Sequence, residues 1–149
     1  MRLVTNLQIA CTMANMESFG SSTVAAVRLL EGKQMDIVNM GDSGALIFRL
    51  HPNKKEVYQV FRTEEQYHSD GKSLRCGNQG QSAEEADDAK IDLWDGDIAV
   101  IFTNGVSDNL SDERIKECVE MFLEDGMIMD KKTAASCIAV KSFAASVNQ

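Results

Sequence analysis

The sequence has no closely spaced cysteine pair, only two histidines, no uninterrupted apolar run of eighteen residues and no surplus of positive charge. Each absence removes a class of function. Cys11, Cys76, Cys118 and Cys137 fall singly, so there is no zinc-type knuckle. Cys118 and Cys137 sit on the apolar sides of helical stretches, where small buried thiols are expected, and this usage predicts a reducing compartment. His51 borders a turn and His68 lies in a polar connection; neither has a companion ligand, and both read as surface groups. The lack of a long apolar run argues against a membrane span. No basic start followed by an apolar stretch marks a secretory signal, so an intracellular location, mitochondrial or cytoplasmic, is expected. The formal charge of −8, from 23 acidic against 15 basic residues, repels phosphate backbones. The basic residues are dispersed, and no nucleic-acid partner is expected. Ser22, Ser43 and Ser107 each adjoin small residues, but none lies in a G-x-S-x-G pattern, so a serine hydrolase has no support.

What is present is the composition of a soluble globular domain, 44% apolar and 26% charged, and 149 residues suit one domain with a sizeable core. Residues 3–16 place Leu3, Leu7, Ala10 and Ala14 at helical spacing. Residues 23–30 and 34–40 read as a hairpin around Glu31-Gly32-Lys33. Residues 45–50 and 57–61 read as two more strands around His51-Pro52-Asn53. From Arg62 to Lys90 the pattern fades into a long polar connection of the kind that marks functional or mobile loops. Ile91–Trp94 reads as a short strand, Asp95-Gly96 as a two-residue turn, and Asp97–Thr103 as the best central strand. Ser111 and Asp130 are N-cap candidates for two closing helices. The first carries Ile115, Cys118, Val119 and Phe122 on one face; the second carries Ala134, Cys137, Ile138, Lys141 and Ala145. The tally predicts an α+β fold, a partial αββα sandwich of antiparallel sheets with flanking helices.

Two turns hold the candidate chemistry. Gly41-Asp42-Ser43-Gly44 lies between strands, and Asp42 could bind a divalent cation through oxygen, although an isolated turn aspartate more often accepts hydrogen bonds from nearby amides. The central strand ends in Asn104-Gly105-Val106-Ser107-Asp108-Asn109. Asn104 can donate a carbonyl oxygen but not the negative charge of a bridging aspartate. Paired divalent ions need several anionic ligands to offset their repulsion, so that missing charge is costly. Asp108 is as well suited to capping backbone amides as to touching a ligand.

Gly20-Ser21-Ser22-Thr23, Val38-Asn39-Met40-Gly41-Asp42-Ser43-Gly44, Gly96-Asp97-Ile98 and Thr103 to Asn109 follow, in order and at similar spacing, the landmarks of the metal-dependent protein phosphatases, the PPM or type 2C family, which this chain therefore resembles. Arg62-Thr63-Glu64-Glu65-Gln66-Tyr67-His68 also resembles the short, mitochondrial-type branch. The resemblance implies two manganese or magnesium ions that activate water for hydrolysis of phosphoserine or phosphothreonine. It matches Asn104 to a core metal-bridging aspartate and Asp42 to an aspartate that helps hold a further metal. Asp108 matches a largely structural residue, and Gly41, Ser43 and Gly105 match turn positions. It covers only the middle and later part of the family domain, so residues 1–149 form an incomplete domain with most of the metal shell outside it. The first expectation is a catalytically inactive phosphatase-like scaffold or subunit, with no cofactor in the isolated chain. Another protein chain or a missing segment would cover its open sheet edges. The alternative is a fragment or variant of an active Mn- or Mg-dependent phosphatase. A further alternative is a phosphoprotein-binding module that uses Arg49 and Arg62.

Overall fold

Seven residues from Val24 to Leu30 and seven from Gln34 to Met40 pair antiparallel in unbroken register, Val24 opposite Met40 and Leu30 opposite Gln34. The turn between them holds Gly32 and Lys33 at φ of 77° and 61°, the left-handed conformation that tight hairpins need. In this computed structural model the described residues are 2–17, 20–53, 55–78, 80–128 and 130–148. The chain divides into two compact units, residues 1–45 with 63–93 and residues 46–62 with 94–149.

In the first unit helix α1 (Leu3–Glu17) precedes the short strand β1 (Ser21–Ser22), the hairpin strands β2 (Val24–Leu30) and β3 (Gln34–Met40), and the start of β4 (Gly44–Leu50). The unit resumes after β5 (Val57–Arg62) with β6 (Cys76–Gly77), a single 3-10 turn at Ala83–Glu85, and β7 (Asp87–Asp92). The sheet order is β2-β3-β7. Helix α1 lays Leu7 and Cys11 on Val38 and Met40 of the central strand, with Ala83 and Ala86 closing the cluster.

In the second unit β4 continues from Leu46 and pairs with β5, with a register shift at Ile47/Phe48. The order β5-β4-β8 adds β8 (Ile98–Phe102). The one-turn helix α2 (Asn104–Ser107), helix α3 (Asp112–Glu120), a hairpin of β9 (Leu123–Glu124) and β10 (Met127–Ile128), and helix α4 (Lys131–Ser146) follow. Ser111 caps α3 by accepting from the Arg114 N–H, and Asp130 caps α4 by accepting from the Thr133 N–H. Ile115, Cys118 and Val119, at the spacing of one helical stripe, pack with Phe48, Leu46, Phe102 and Ile138. The fold class is the predicted one, α+β with antiparallel sheets flanked by helices.

Three local expectations are corrected. The connection predicted to run from Arg62 to Lys90 contains β6, the 3-10 turn and the first four residues of β7. That strand has only Ala89 and Ile91 partly sheltered among exposed neighbours, so its polar edge shows no apolar run. The Asp95-Gly96 turn closes no hairpin, because β7 pairs with β3 while β8 joins the sheet of β4. The cysteines are not thiols: Cys11 is bonded to Cys76 and Cys118 to Cys137. Partners 65 and 19 residues apart leave no spacing signal, since it is the packing of α1 on β6 and of α3 on α4 that brings them together.

Candidate metal-binding turns

The Gly41-Asp42-Ser43-Gly44 turn is built almost entirely from remote contacts. Gly41 is buried with φ of 91°, and a side chain there would collide with the carbonyl oxygen of Leu74 and lie 2.5 Å from Thr23 Cγ2; only glycine fits. Its N–H donates to Gln66 Oε1 at 3.2 Å. Its carbonyl accepts from the Gln66 N–H at 3.0 Å and from Asn39 Nδ2 at 3.2 Å. The same Asn39 amide reaches the Glu64 carbonyl, and Gln66 Nε2 donates to the Glu85 carbonyl at 2.9 Å. Buried Ser43 shares a 2.7 Å hydrogen bond with Thr23 Oγ1. Thr63 receives the Ala45 N–H on its hydroxyl and donates its own N–H to the Ala45 carbonyl.

Asp42 stands on this frame half-buried. Among the described residues its carboxylate accepts no hydrogen bond and joins no ion pair. The N–H groups of Gly41 and Ala45, on either side of Asp42, are accepted by Gln66 and Thr63 and not by the Asp42 carboxylate.

The second turn is held locally. Asn104 opens α2 directly after Thr103, whose side chain makes no capping bond. The Asn104 carbonyl accepts the Asp108 N–H at 2.8 Å, and its Nδ2 donates to Asp108 Oδ2 at 3.3 Å. Asn109 Nδ2 donates to the Gly105 carbonyl at 3.0 Å. A side chain at Gly105 would meet nothing nearer than Thr103 Oγ1 at 3.7 Å, so the backbone does not demand glycine there. Asn104, Gly105 and Asp108 are all exposed. Asn104 has its amide hydrogen turned to Asp108, which leaves a neutral carbonyl oxygen as its only donor to a cation. Asp42 and Asn104 lie in different units, and among the described residues no group of three or more His, Cys, Asp or Glu side chains gathers as a metal cluster.

The two arginines considered for phosphate are engaged elsewhere in the second unit. Arg49 forms a two-pronged pair with Asp97 at 2.9 and 2.7 Å and lies 4.2 Å above the Trp94 ring. The Asp97 side chain is only 4% exposed and also accepts the Trp94 N–H. This carboxylate raises the Arg49 pKa, with burial opposing it. Arg62 pairs with Asp112 at 2.9 Å and lies over Phe102. Sequence reasoning missed the Arg49–Asp97 pair; its only local cue was the Asp97 carboxylate beside a turn.

No family model matches the chain. Over 122 residues it is 34% identical to "Probable protein phosphatase 2C 80" of Arabidopsis thaliana, a match that takes in 80% of this chain and 27% of that protein. Its structure is similar to that of the photosystem II phosphatase PBCP, with a TM-score of 0.72 and 23% identity over 94% of this chain and 52% of that one. It is also similar to the catalytic domain of the serine/threonine phosphatase PstP in complex with two manganese ions, with a TM-score of 0.60 and 17% identity over 96% of this chain and 63% of that one. The fold is that of the metal-dependent, type 2C protein phosphatases. The chain spans about a quarter of the length of the curated relative and about half that of PBCP.

Proposed function

We propose that residues 1–149 are part of a metal-dependent phosphatase domain that hydrolyses phosphoserine or phosphothreonine in proteins once the rest of the domain is in place. One observation carries this reading: the Asp42 carboxylate is held on a turn braced by Gln66, Asn39 and Thr63 yet is engaged by no described residue. A fixed, half-buried carboxylate with spare lone pairs suits a hard divalent cation. Asp42 would supply a charged oxygen; Mn2+ or Mg2+, when bound, supplies Lewis acidity and a more acidic water. Gln66 and Asn39 bond Gly41, the residue before Asp42. The short, mitochondrial-type branch is the assignment supported by Arg62 to His68. Similarity to phosphatases that include a manganese-bound domain favours this reading over the silent scaffold.

The scaffold reading retains one specific observation: Asn104 lacks charge and its amide is spent on Asp108. The phosphoprotein-binding reading loses its proposed cations, since Arg49 and Arg62 are ion-paired. In either surviving reading the remaining segments of the domain or a partner protein would cover β8. Among the described residues β8 is the outer strand of its sheet and borders a groove of about 600 Å³ lined by Ile98, Val100, Ile128, Ala134 and Ile138. No described helix is long and apolar enough to cross a membrane.

The decisive assay uses a chain extended to the full domain. Mn2+-dependent hydrolysis of a phosphothreonine peptide, abolished by chelation and by Asp42→Asn and raised by Asn104→Asp, is the expected outcome. Inactivity of the extended chain with Asn104→Asp, under saturating Mn2+, would establish the scaffold instead.

A further inference from the structure

The Cys11–Cys76 bridge stands next to three of the remote supports of the Asp42 turn, Thr23, Leu74 and Gln66. Cys76 pairs across β6 with Ser22 of β1, and the next residue, Thr23, is the one whose hydroxyl binds Ser43 and whose methyl walls Gly41. Two residues before Cys76, the Leu74 carbonyl forms the other wall of Gly41, and the Leu74 N–H donates to the carbonyl of Gln66, the residue that grips Gly41. The bridge anchors this whole segment to α1, where Cys11 is buried against Val38 and Met40. Without it the segment from 63 to 77 is tied to α1 only through non-covalent packing, such as that of Leu74 and Cys76 on the Leu7 and Cys11 cluster.

We propose that Cys11–Cys76 is a redox latch that controls the order of the Asp42 turn, and through it the affinity of that turn for a divalent cation; the second half of this statement rests on the metal-binding reading above. The co-reactant is a cellular dithiol of the thioredoxin class. Its thiolate attacks Cys76 Sγ, the half-buried sulfur of the pair, and the Cys11 thiolate leaves and takes up a proton. The second thiol of the reductant then displaces Cys76 as its thiol, so the bridge gains two electrons and two protons and the reductant becomes a disulfide. The Cys118–Cys137 bridge makes no such connection to the turn, because it joins α3 to α4 within the second unit.

The test follows amide hydrogen exchange of the 149-residue chain while a graded dithiothreitol series opens the bridges, with alkylation and mass analysis reporting which bridge is open. Opening of Cys11–Cys76 is expected to speed exchange at residues 41–44 and 63–68 by about tenfold or more, whereas opening of Cys118–Cys137 leaves those amides unchanged. Unchanged exchange at residues 41–44 with Cys11–Cys76 fully reduced, or alkylation of Cys11 and Cys76 in the unreduced protein, overturns the latch. Mn2+ titration of the oxidised and reduced chain is read separately. Binding weakened by reduction and lost in Asp42→Asn supports both steps. Faster exchange with no Mn2+ binding in either state keeps the latch and removes the metal reading. Equal Mn2+ binding in both states with unchanged exchange does the opposite. Cys11→Ser with Cys76→Ser is expected to reproduce the reduced pattern without reductant; if that pair fails to fold, the wild-type series decides alone.

Discussion

The turns at Asp42 and Asn104 each connect two regular elements and each carry a residue matched to a metal ligand, but they are held in opposite ways. The Asp42 turn is held by hydrogen bonds with Asn39, Thr63 and Gln66, none of which uses its own carboxylate. The Asn104 turn is bonded within itself, through Asp108 and Asn109, and spends the Asn104 amide nitrogen while leaving its carbonyl oxygen. Long-range bracing leaves the whole functional group free, whereas local capping uses part of it.

That contrast can be broken most severely at the glycines. Gly41→Ala adds a side chain at a left-handed φ against backbone atoms and should cost about 3 kcal/mol or more in urea unfolding. Gly105→Ala, in open space at the start of α2, should be neutral or stabilising by up to about 1 kcal/mol. Equal losses would show that the two turns are braced alike.

The ion pairs of the second unit give the next largest effect. Asp97→Ala removes the two-pronged carboxylate partner of Arg49, 14% exposed, beside Trp94 and should destabilise by roughly 3 kcal/mol. Asp112→Ala removes a pair about 30% exposed on both sides and should cost about 1 kcal/mol or less. Gln66→Ala, which leaves the Gly41 N–H and the Glu85 carbonyl without their partner, should cost about 1–3 kcal/mol. Asn104→Ala should change stability by no more than about 0.5 kcal/mol.

The smallest effect is electrostatic. The Asp130 carboxyl lies below its ordinary value of 3.8, chiefly through its hydrogen bond from the Thr133 hydroxyl and then from the Thr133 N–H. A depressed folded pKa means that its contribution is complete above that ordinary value and is lost as pH falls through the lower folded one. Asp130→Asn should therefore flatten the acid limb of a stability–pH curve below about pH 4 and leave the neutral region without added slope. An unchanged acid limb would remove Asp130 from the cap.

The two bridges differ in the chain they close. By loop entropy alone the 65-residue loop of Cys11–Cys76 should stabilise by about 4 kcal/mol and the 19-residue loop of Cys118–Cys137 by about 3 kcal/mol.

Much of this was legible in the order of residues. Periodic apolar positions located α1, α3 and α4, Ser111 and Asp130 marked the caps, and Glu31-Gly32-Lys33 marked the first hairpin, because each depends on neighbours within a turn or two. Strand β7 was missed because a polar edge strand shows little apolar alternation, and the Asp95-Gly96 turn misled because a tight turn does not state which sheet receives the next strand. The motifs at Asp42 and Asn104 pointed to a cation, but not to whether either side chain was available.

The sequence by itself determined most of the element types and the charge of each candidate ligand, a carboxylate at Asp42 and a neutral carboxamide at Asn104, since these are properties of single residues and short spacings. Only the tertiary structure decided that no described residue engages the Asp42 carboxylate, that Arg49 and Arg62 are occupied, and that four apparently separate cysteines form two bridges. Those outcomes depend on which remote atoms are brought within bonding distance, and chain folding, not local preference, sets that distance.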